Sequence, residues 1–126
     1  SKMSYKENVL FLGYLPQQEL AKIMASAEAL VFVSLFEGFG VPIVEAMKCN
    51  VPVITSNVTS MPEIAGDAAI LVNPKSIFEI VEAMVRISSD SSLRESLIKK
   101  GRIQAKKFTW DMAAAKLWKC CEKILA

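Results

Sequence analysis

The sequence contains no histidine and no long apolar run, and these two absences exclude several classes of function. Without histidine, a Ser-His-Asp or Cys-His nucleophile, a His-ligated zinc ion and a histidine general base are all excluded. No run is long and apolar enough to cross a bilayer, and residues 1–8 are too polar for a signal peptide. We therefore expect a cytoplasmic protein in which acid–base or ligand chemistry falls mainly to carboxylates.

Cysteine and metal-binding patterns are also sparse. The three cysteines, Cys49, Cys120 and Cys121, form neither a CxxC pair nor an even disulfide framework, so we expect them to be reduced. The chain also has no Asp-x-Asp pair to hold a divalent cation. We therefore expect the protein to use no metal ion and no cofactor.

Apolar runs alternate with helix-like stretches through the first part of the chain. The chain has 126 residues and is 52% hydrophobic, which is enough for one domain with a core. We predict strands near residues 9–13, 29–35, 51–56 and 68–72. We predict helices near residues 17–27, 42–49 and 61–65. Such alternation with short connections predicts the α/β class, a parallel sheet flanked by helices, as a single domain over residues 1–126.

After Pro74 the sequence becomes helical and basic. Apolar residues spaced three and four apart predict an amphipathic helix: Ile77, Ile80, Val81, Met84, Val85 and Ile87. A break at residues 88–92 precedes a second helical stretch, and Phe108 and Trp110 precede a third. Up to Pro74 the chain has 4 basic and 7 acidic residues, whereas after it there are 11 basic and 6 acidic ones.

Many of the basic residues lie in one short stretch: Lys99, Lys100, Arg102, Lys106 and Lys107. Two interpretations of this cluster stay open. It is either a solvated helix face, which is the usual meaning of a charge run, or a face that meets anionic lipid at the inner surface of a membrane. No aromatic residues interleave with it as a surface for single-stranded nucleic acid requires, so we expect no nucleic-acid partner.

Two carboxylates, Glu37 and Glu45, bracket a Gly-Phe-Gly turn that is the most informative feature of the chain. Gly38 and Gly40 allow a tight turn that side chains would obstruct, and Pro42 fits the first position of a helix. Glu37 then lies beyond the carboxyl end of a strand. Glu45 can reach back toward the same mouth, because helical side chains lean toward the N-terminus. Both acids could thus face one ligand.

The start of this predicted helix is also a candidate anion site. The N–H groups near Gly40 and Val41 lack helical partners and lie at the positive end of the helix dipole, so a phosphate could bind there. Glu45 could accept hydrogen bonds from the hydroxyls of a sugar or ribose. In the alternative interpretation, both acids are ordinary side chains at a helix start and the glycines form only a turn.

From Glu37 to Glu45 the segment resembles the E-x7-E motif of the retaining GT-B glycosyltransferases, the group 1, mannosyltransferase-like enzymes that move sugars from nucleotide donors. Other segments similar to that family occur in the expected order: residues 9–15, 19–20, 27–29, 52–55, 61–67 and 70–74, with a Phe-Thr-Trp at 108–110. The resemblance implies a Rossmann-like fold, the later part of a GT-B C-terminal domain. It also implies metal-independent chemistry in polysaccharide biosynthesis.

The resemblance implies a role for each matching residue. Glu37 corresponds to the first family acid, the catalytic residue, which orients the donor sugar and stabilises charge at the reaction centre. Glu45 corresponds to the acid that binds the ribose hydroxyls of the donor, and Tyr14 and Leu15 lie near the base. The implied donor-binding residues are Gly38, Phe39, Gly40, Val41, Glu45, Tyr14 and Leu15.

The chain lacks parts that the family has. The basic pair that holds the donor diphosphate lies upstream of residues 9–13, and Lys22 and Lys48 do not match it, so we expect weak donor binding. In the family's sheet, two further strands lie between those that correspond to residues 9–13 and 29–35, and this chain lacks both. The segments 9–13 and 29–35 then either pair directly or leave a gap that another chain fills. The helix at 111–126 corresponds to one that contacts the missing N-terminal domain, and we therefore expect the isolated chain to self-associate.

Two other functions stay open. Paired carboxylates also carry out glycoside hydrolysis, although the eight-residue offset does not itself set the carboxyl separation that hydrolysis needs. A nucleotide-binding or scaffold module without catalytic activity is the other alternative.

Overall fold

The computed structural model describes residues 4–125, with side chains described through Ile124. Within these residues the chain forms three strands and six α-helices after a short 3-10 turn at Lys6–Asn8. The strands are β1 (Leu30–Phe32), β2 (Val53–Ser56) and β3 (Ala69–Val72). The helices are α1 (Gln17–Ser26), α2 (Val41–Lys48), α3 (Met61–Ala65), α4 (Ile77–Ser89), α5 (Ser91–Ala105) and α6 (Trp110–Leu125).

The three strands form one parallel sheet in the order β1, β2, β3. β2 is central, with Leu30 beside Val53 on one side and Ile54 beside Ile70 on the other. All residues of β2 are buried, as expected of a parallel strand that is covered on both faces. The predicted α/β class with a parallel sheet is therefore confirmed.

Helices cover both faces of the sheet because neighbouring β2 side chains point to opposite sides. Val53 belongs to a core built mainly with α2 and α3, whereas Ile54 belongs to a second core built with α4 and α5. Both side chains are 0% exposed. Full burial of such a side chain stabilises the fold by about 1.5–3 kcal/mol.

Helix α5 packs closely along α2. A Cβ at Gly101 of α5 would lie 3.2 Å from Cγ of Met47, so only glycine allows this approach without a shift of the methionine. Further along α5, the buried amide of Gln104 donates a hydrogen bond to the carbonyl of Ile64 at 2.9 Å. These contacts hold α2, α3 and α5 together on one side of the sheet.

The strand predicted at residues 9–13 does not form. The segment is irregular, and Leu10 and Phe11 are 80% and 86% exposed. It pairs with neither β1 nor any other strand of the described residues, so direct pairing of the segments 9–13 and 29–35 is wrong. An extended segment needs a neighbouring strand for its backbone N–H and C=O groups, and among the described residues this segment pairs with none.

Other boundaries differ slightly from prediction. β1 is shorter than the predicted 29–35, and α2 begins at Val41, which puts Pro42 at the second helical position rather than the first. A missing N–H is equally harmless at either position. The break predicted at 88–92 is reduced to Asp90 alone, since α4 ends at Ser89 and the Asp90 side chain caps α5, which begins at Ser91.

Helix α6 lies largely apart from both cores. Its residues from Trp110 to Cys120 are all exposed, and Leu117 and Trp118 are 67% and 64% exposed. It corresponds to the predicted helix 111–126, of which Ala126 lies outside the described residues. Between residues 4 and 125, every helix is too short or too polar to traverse a bilayer.

Candidate functional site

The Glu37 loop, residues 33–40, joins the carboxyl end of β1 to α2. Its acid is half-buried, and the Ser34 hydroxyl donates a hydrogen bond to Glu37 Oε1 at 2.8 Å. The hydroxyl of Ser56, the last residue of β2, donates in turn to the carbonyl oxygen of Ser34. The sheet therefore orients this carboxylate at its carboxyl edge, where open α/β sheets bind ligands.

The connection between β2 and α3 holds the backbone of the Glu37 loop. The Ser60 hydroxyl lies 2.9 Å from the carbonyl oxygen of Glu37 and 3.0 Å from that of Phe39, so its single proton is shared between two acceptors. The Glu37 N–H donates a longer hydrogen bond, of 3.4 Å, to Thr59 Oγ1. Thr59 has a φ of 54°, an unfavourable value for a β-branched residue that persists only where neighbouring contacts hold it.

The N-terminus of α2 lies beside this loop, with Gly40 buried and Val41 exposed. Gly40 is the residue before the helix, with a φ of 98°, and a Cβ there would lie 3.1 Å from Cδ1 of Ile43. Within residues 4–125, the N–H groups of Gly40 and Val41 have no hydrogen-bond acceptor. Pro42 has no N–H, and the Ile43 N–H donates to the Gly40 carbonyl oxygen. The N–H groups of Gly40 and Val41 are therefore the donors that this helix start can offer to an anion.

Phe39 ties the Glu37 loop to the end of α5. Its ring meets the Phe108 ring edge to face, with centroids 5.7 Å apart and an angle of 86° between the planes. Such pairs contribute about 0.5–1.5 kcal/mol beyond the area that they bury. Phe39 is still 43% exposed, so part of the ring remains available to a ligand.

Glu45 lies one turn into α2 and lines a separate cavity. This Glu45 cavity has a volume of about 210 Å³ and lies between α1 and α2. Gln17, Leu20 and Met24 of α1 line its other side, and Lys48 lines it from α2. Glu37 does not line this cavity, so the two acids present their carboxylates to different parts of the surface.

Tyr14 and Leu15 precede α1, next to the wall of the Glu45 cavity. Tyr14 is 97% exposed and Leu15 is half-buried. The turn before them is made by Gly13, whose φ is 63°. Their backbone, rather than the Tyr14 ring, is positioned by this turn.

Sequence reasoning missed the residues that fasten the Glu37 loop. These are Ser34, Ser56, Thr59, Ser60 and Phe108. Serine and threonine hydroxyls commonly bond to backbone groups in turns, which is the one local signal that marked them. Which backbone group they would meet depends on how the two loops pack.

The ion pair between Lys100 and Asp67 stabilises the packing of α5 beside the end of α3. Lys100 Nζ lies 3.2 Å from Asp67 Oδ2, and the hydrogen bond and charge of Lys100 hold the pKa of Asp67 below its usual value. This pair joins α5 to the segment after α3. Among residues 4–125, no three His, Cys, Asp or Glu side chains lie together in a way that could hold a metal ion.

Comparison with known families identifies the chain. Residues 1–104 match the model of the family described as glycosyl transferases group 1. The chain belongs to this family. The matched region contains both Glu37 and Glu45, so the relationship first indicated by the E-x7-E segment is confirmed.

Curated relatives of this group 1 chain are named mannosyltransferases. It is 43% identical over 103 residues to O-antigen chain mannosyltransferase B of Escherichia coli. It is 34% identical over 116 residues to MMP alpha-(1->4)-mannosyltransferase of Mycolicibacterium hassiacum. The matches cover 82% and 89% of this chain but only 27% and 28% of those relatives. The chain therefore spans little more than a quarter of their length.

A solved structure shares the fold of the group 1 chain. Sucrose-phosphate synthase from Thermosynechococcus elongatus superposes with a TM-score of 0.82 at 28% sequence identity. The similarity covers 95% of this chain and 31% of that one. The predicted Rossmann-like architecture, the later part of a GT-B C-terminal domain, is confirmed.

Proposed function

We propose that this group 1 chain is the donor-binding part of a retaining glycosyltransferase, which moves a sugar from a nucleotide-sugar to a saccharide or lipid-linked acceptor. The observation that carries the proposal is the position of Glu37. Its carboxylate is oriented by Ser34 at the carboxyl edge of the sheet, in the loop that leads to the free N–H groups of Gly40 and Val41. An acid and an anion site thus belong to one short loop.

In the proposed mode of binding, the sugar-linked phosphate of the donor lies at the N–H groups of Gly40 and Val41. When the bond between the sugar and the phosphate oxygen breaks, the phosphate gains negative charge, which these donors and the helix dipole stabilise. The anomeric carbon gains positive charge, which the carboxylate of Glu37 stabilises. The acceptor hydroxyl attacks from the face that the phosphate leaves and gives its proton to the departing phosphate oxygen, so the anomeric configuration is retained.

The nucleoside of the donor occupies the Glu45 cavity in this proposal. The carboxylate of Glu45 accepts hydrogen bonds from the ribose hydroxyls, while Leu20 and Met24 supply an apolar wall. The backbone of Tyr14 and Leu15 borders the base. No metal ion is needed in this scheme, because charge is stabilised by backbone donors.

The remaining parts of the site lie outside the chain in this proposal. A basic pair that holds the diphosphate and an N-terminal domain that recognises the acceptor are supplied by the rest of a longer protein. The small share of the relatives that this chain covers supports this division. The exposed face of α6 is the part of the chain that we expect to contact the N-terminal domain.

The test is sugar transfer by the full-length protein with the substitution Glu37→Gln. A nucleotide-mannose is the first donor to try, because both relatives described above are named mannosyltransferases. We expect kcat to fall about a hundredfold or more while the donor KM changes little, since the lost charge acts mainly in the transition state. Glu45→Gln should instead raise the donor KM.

The matched control is Glu82→Gln, which removes one exposed carboxylate from α4 and should leave both parameters unchanged. Circular dichroism verifies that each variant is folded. Full activity of the Glu37→Gln protein would remove the catalytic role from this residue. Calorimetry with several nucleoside diphosphates separates a scaffold from a donor-binding module, because a scaffold would give no selective heat.

A further inference from the structure

The cationic cavity is a second concave surface, at the seam between the end of α2 and the end of α5. Its volume is about 390 Å³, and its cationic side chains are Lys48, Arg102 and Lys106. Asn50 and Thr109 add polar groups. None of the described residues that line it is acidic. The charge of this surface therefore favours a ligand that carries negative charge.

Local geometry brings these cations together. Lys48 ends α2, and the chain then reverses at Asn50, which has a φ of 61°. Arg102 lies in the last turn of α5, and Lys106 follows the helix with helical backbone angles, so the two residues, four positions apart, project from the same side. The close approach at Gly101 keeps the ends of α2 and α5 side by side.

The guanidinium of Arg102 is held in a fixed orientation. Its Nε donates a hydrogen bond to Asn50 Oδ1 at 2.6 Å. The two terminal NH₂ groups are left for another acceptor, because a guanidinium carries five N–H donors. Neither of the ion pairs found within residues 4–125 includes Lys48, Arg102 or Lys106. Arg102 and Lys106 therefore share this concavity without a carboxylate among its lining residues, and Lys48 lines both this cavity and the Glu45 cavity.

The N-terminus of α6 adds to the positive potential. The Met112 N–H donates to Thr109 Oγ1 at 3.2 Å, so Thr109 caps the helix at the cavity wall. The positive end of a 16-residue helix thus lies beside the three cations. Asp111 lies in the first turn of α6 but does not line the cavity.

We infer that the cationic cavity binds a phosphate group, carried either by a small phosphorylated molecule or by an anionic lipid headgroup. A phosphate offers several acceptor oxygens and up to two negative charges, which match an arginine fork flanked by lysines. The site is separate from the proposed phosphate position at Gly40 and Val41, although it shares Lys48 with the Glu45 cavity. Lys48 lies at the opposite end of α2 from Gly40, about 12 Å along the helix.

The first test is calorimetry of the chain with inorganic phosphate and pyrophosphate. We expect saturable binding that the double variant R102Q/K106Q weakens by about tenfold, a loss of about 1.4 kcal/mol, because the variant removes two exposed cations that each contribute modestly. The control K99Q/K116Q also removes two exposed cations, but neither of these lines the cavity. It should bind like the unsubstituted chain. All four residues are exposed, so folding should be preserved.

The second test locates the ligand and its source. Amide NMR shifts on addition of pyrophosphate should appear at Asn50 and Lys106; shifts confined to Gly40 and Val41 would place the anion at the donor site and overturn the inference. Co-sedimentation with phosphatidic acid vesicles, compared with phosphatidylcholine alone, distinguishes a lipid headgroup from a free phosphate.

Vesicle binding that is lost in R102Q/K106Q identifies the headgroup as the ligand, whereas binding of the free anions alone identifies a small molecule. Equal weakening by R102Q/K106Q and K99Q/K116Q would mean unspecific attraction to a basic surface. That result, or no saturable binding of any probe, contradicts a phosphate site.

Discussion

The Ser60 hydroxyl lies 2.9 Å from the carbonyl oxygen of Glu37, although the two residues are 23 positions apart. This contact joins the loop after β1 to the loop after β2. The same hydroxyl also lies 3.0 Å from the Phe39 carbonyl oxygen, so one side chain holds two points of the Glu37 loop. The candidate catalytic acid therefore depends on a neighbouring strand connection for its position.

Ser60→Ala should impair sugar transfer more than stability. Without the Ser60 hydroxyl, two carbonyl oxygens of the Glu37 loop lose this donor. We expect the unfolding free energy to fall by about 1 kcal/mol. We expect kcat of the full-length protein to fall about tenfold, because a displacement of the Glu37 carboxylate weakens charge stabilisation. Steady-state kinetics and chemical unfolding measure the two effects.

The control for Ser60→Ala is Ser88→Ala. The Ser88 hydroxyl bonds only to the Val85 carbonyl within its own helix. The Ser88→Ala substitution should change neither kcat nor the unfolding free energy appreciably. Unchanged turnover in the Ser60 variant would show that the loop keeps its shape without this hydroxyl.

Gly40→Ala should destabilise the fold more than Gly38→Ala. Gly40 has a φ of 98°, and a new Cβ would lie 3.1 Å from Ile43 Cδ1, whereas a Cβ at Gly38 would meet nothing within 4 Å. The left-handed conformation alone costs a non-glycine residue about 1–2 kcal/mol. Urea unfolding of the two variants measures the difference. Equal midpoints would mean that the turn relaxes when the side chain is added.

Acid should weaken the fold partly through Asp90. The Leu93 N–H and the Ser92 hydroxyl bond to this carboxylate at the start of α5 and lower its pKa from the usual 3.8. Because its folded-state pKa is depressed, the contribution is present above about pH 4 and is lost as the pH falls through the folded-state pKa.

Unfolding free energy measured between pH 6 and pH 3 tests this linkage. Asp90→Asn keeps a capping oxygen but cannot titrate, so its stability should depend less on pH than that of the unsubstituted chain. Identical pH profiles for the two proteins would assign the acid sensitivity to other carboxylates. Asp67, whose pKa is lowered by Lys100, is the next to examine.

The isolated chain should self-associate through α6. Leu117 and Trp118 are 67% and 64% exposed on this helix, and an exposed apolar surface favours association. Light scattering at increasing concentration should show a rising mass, and Leu117→Ser with Trp118→Ser should lower it. A constant monomer mass at high concentration contradicts this prediction. Replacing the polar pair Lys116 and Lys119 with glutamine is the control.

Much of the fold could be predicted because its signals are local. The bounds of α3 coincide with the predicted 61–65, since Pro62 suits a helix start and Gly66, with a φ of 56°, suits its end. The division between α4 and α5 was predicted from the polar stretch at 88–92, although the break itself is only Asp90. The strand at 9–13 was wrong because extended structure requires a partner, which no sequence pattern within the segment can supply.

The candidate site also has some features that the sequence predicts and others that depend on how distant segments pack. The sequence by itself determined the order of strands and helices from α1 onward, and the short span that places an acid, a glycine turn and a helix start in one loop. Only the tertiary structure decided that Ser60 and Thr59 would hold Glu37, that Phe108 would meet Phe39, and that three cations would share a cavity. The reason is physical: caps and turns depend on residues a few positions apart, whereas these contacts form only when distant segments pack against each other.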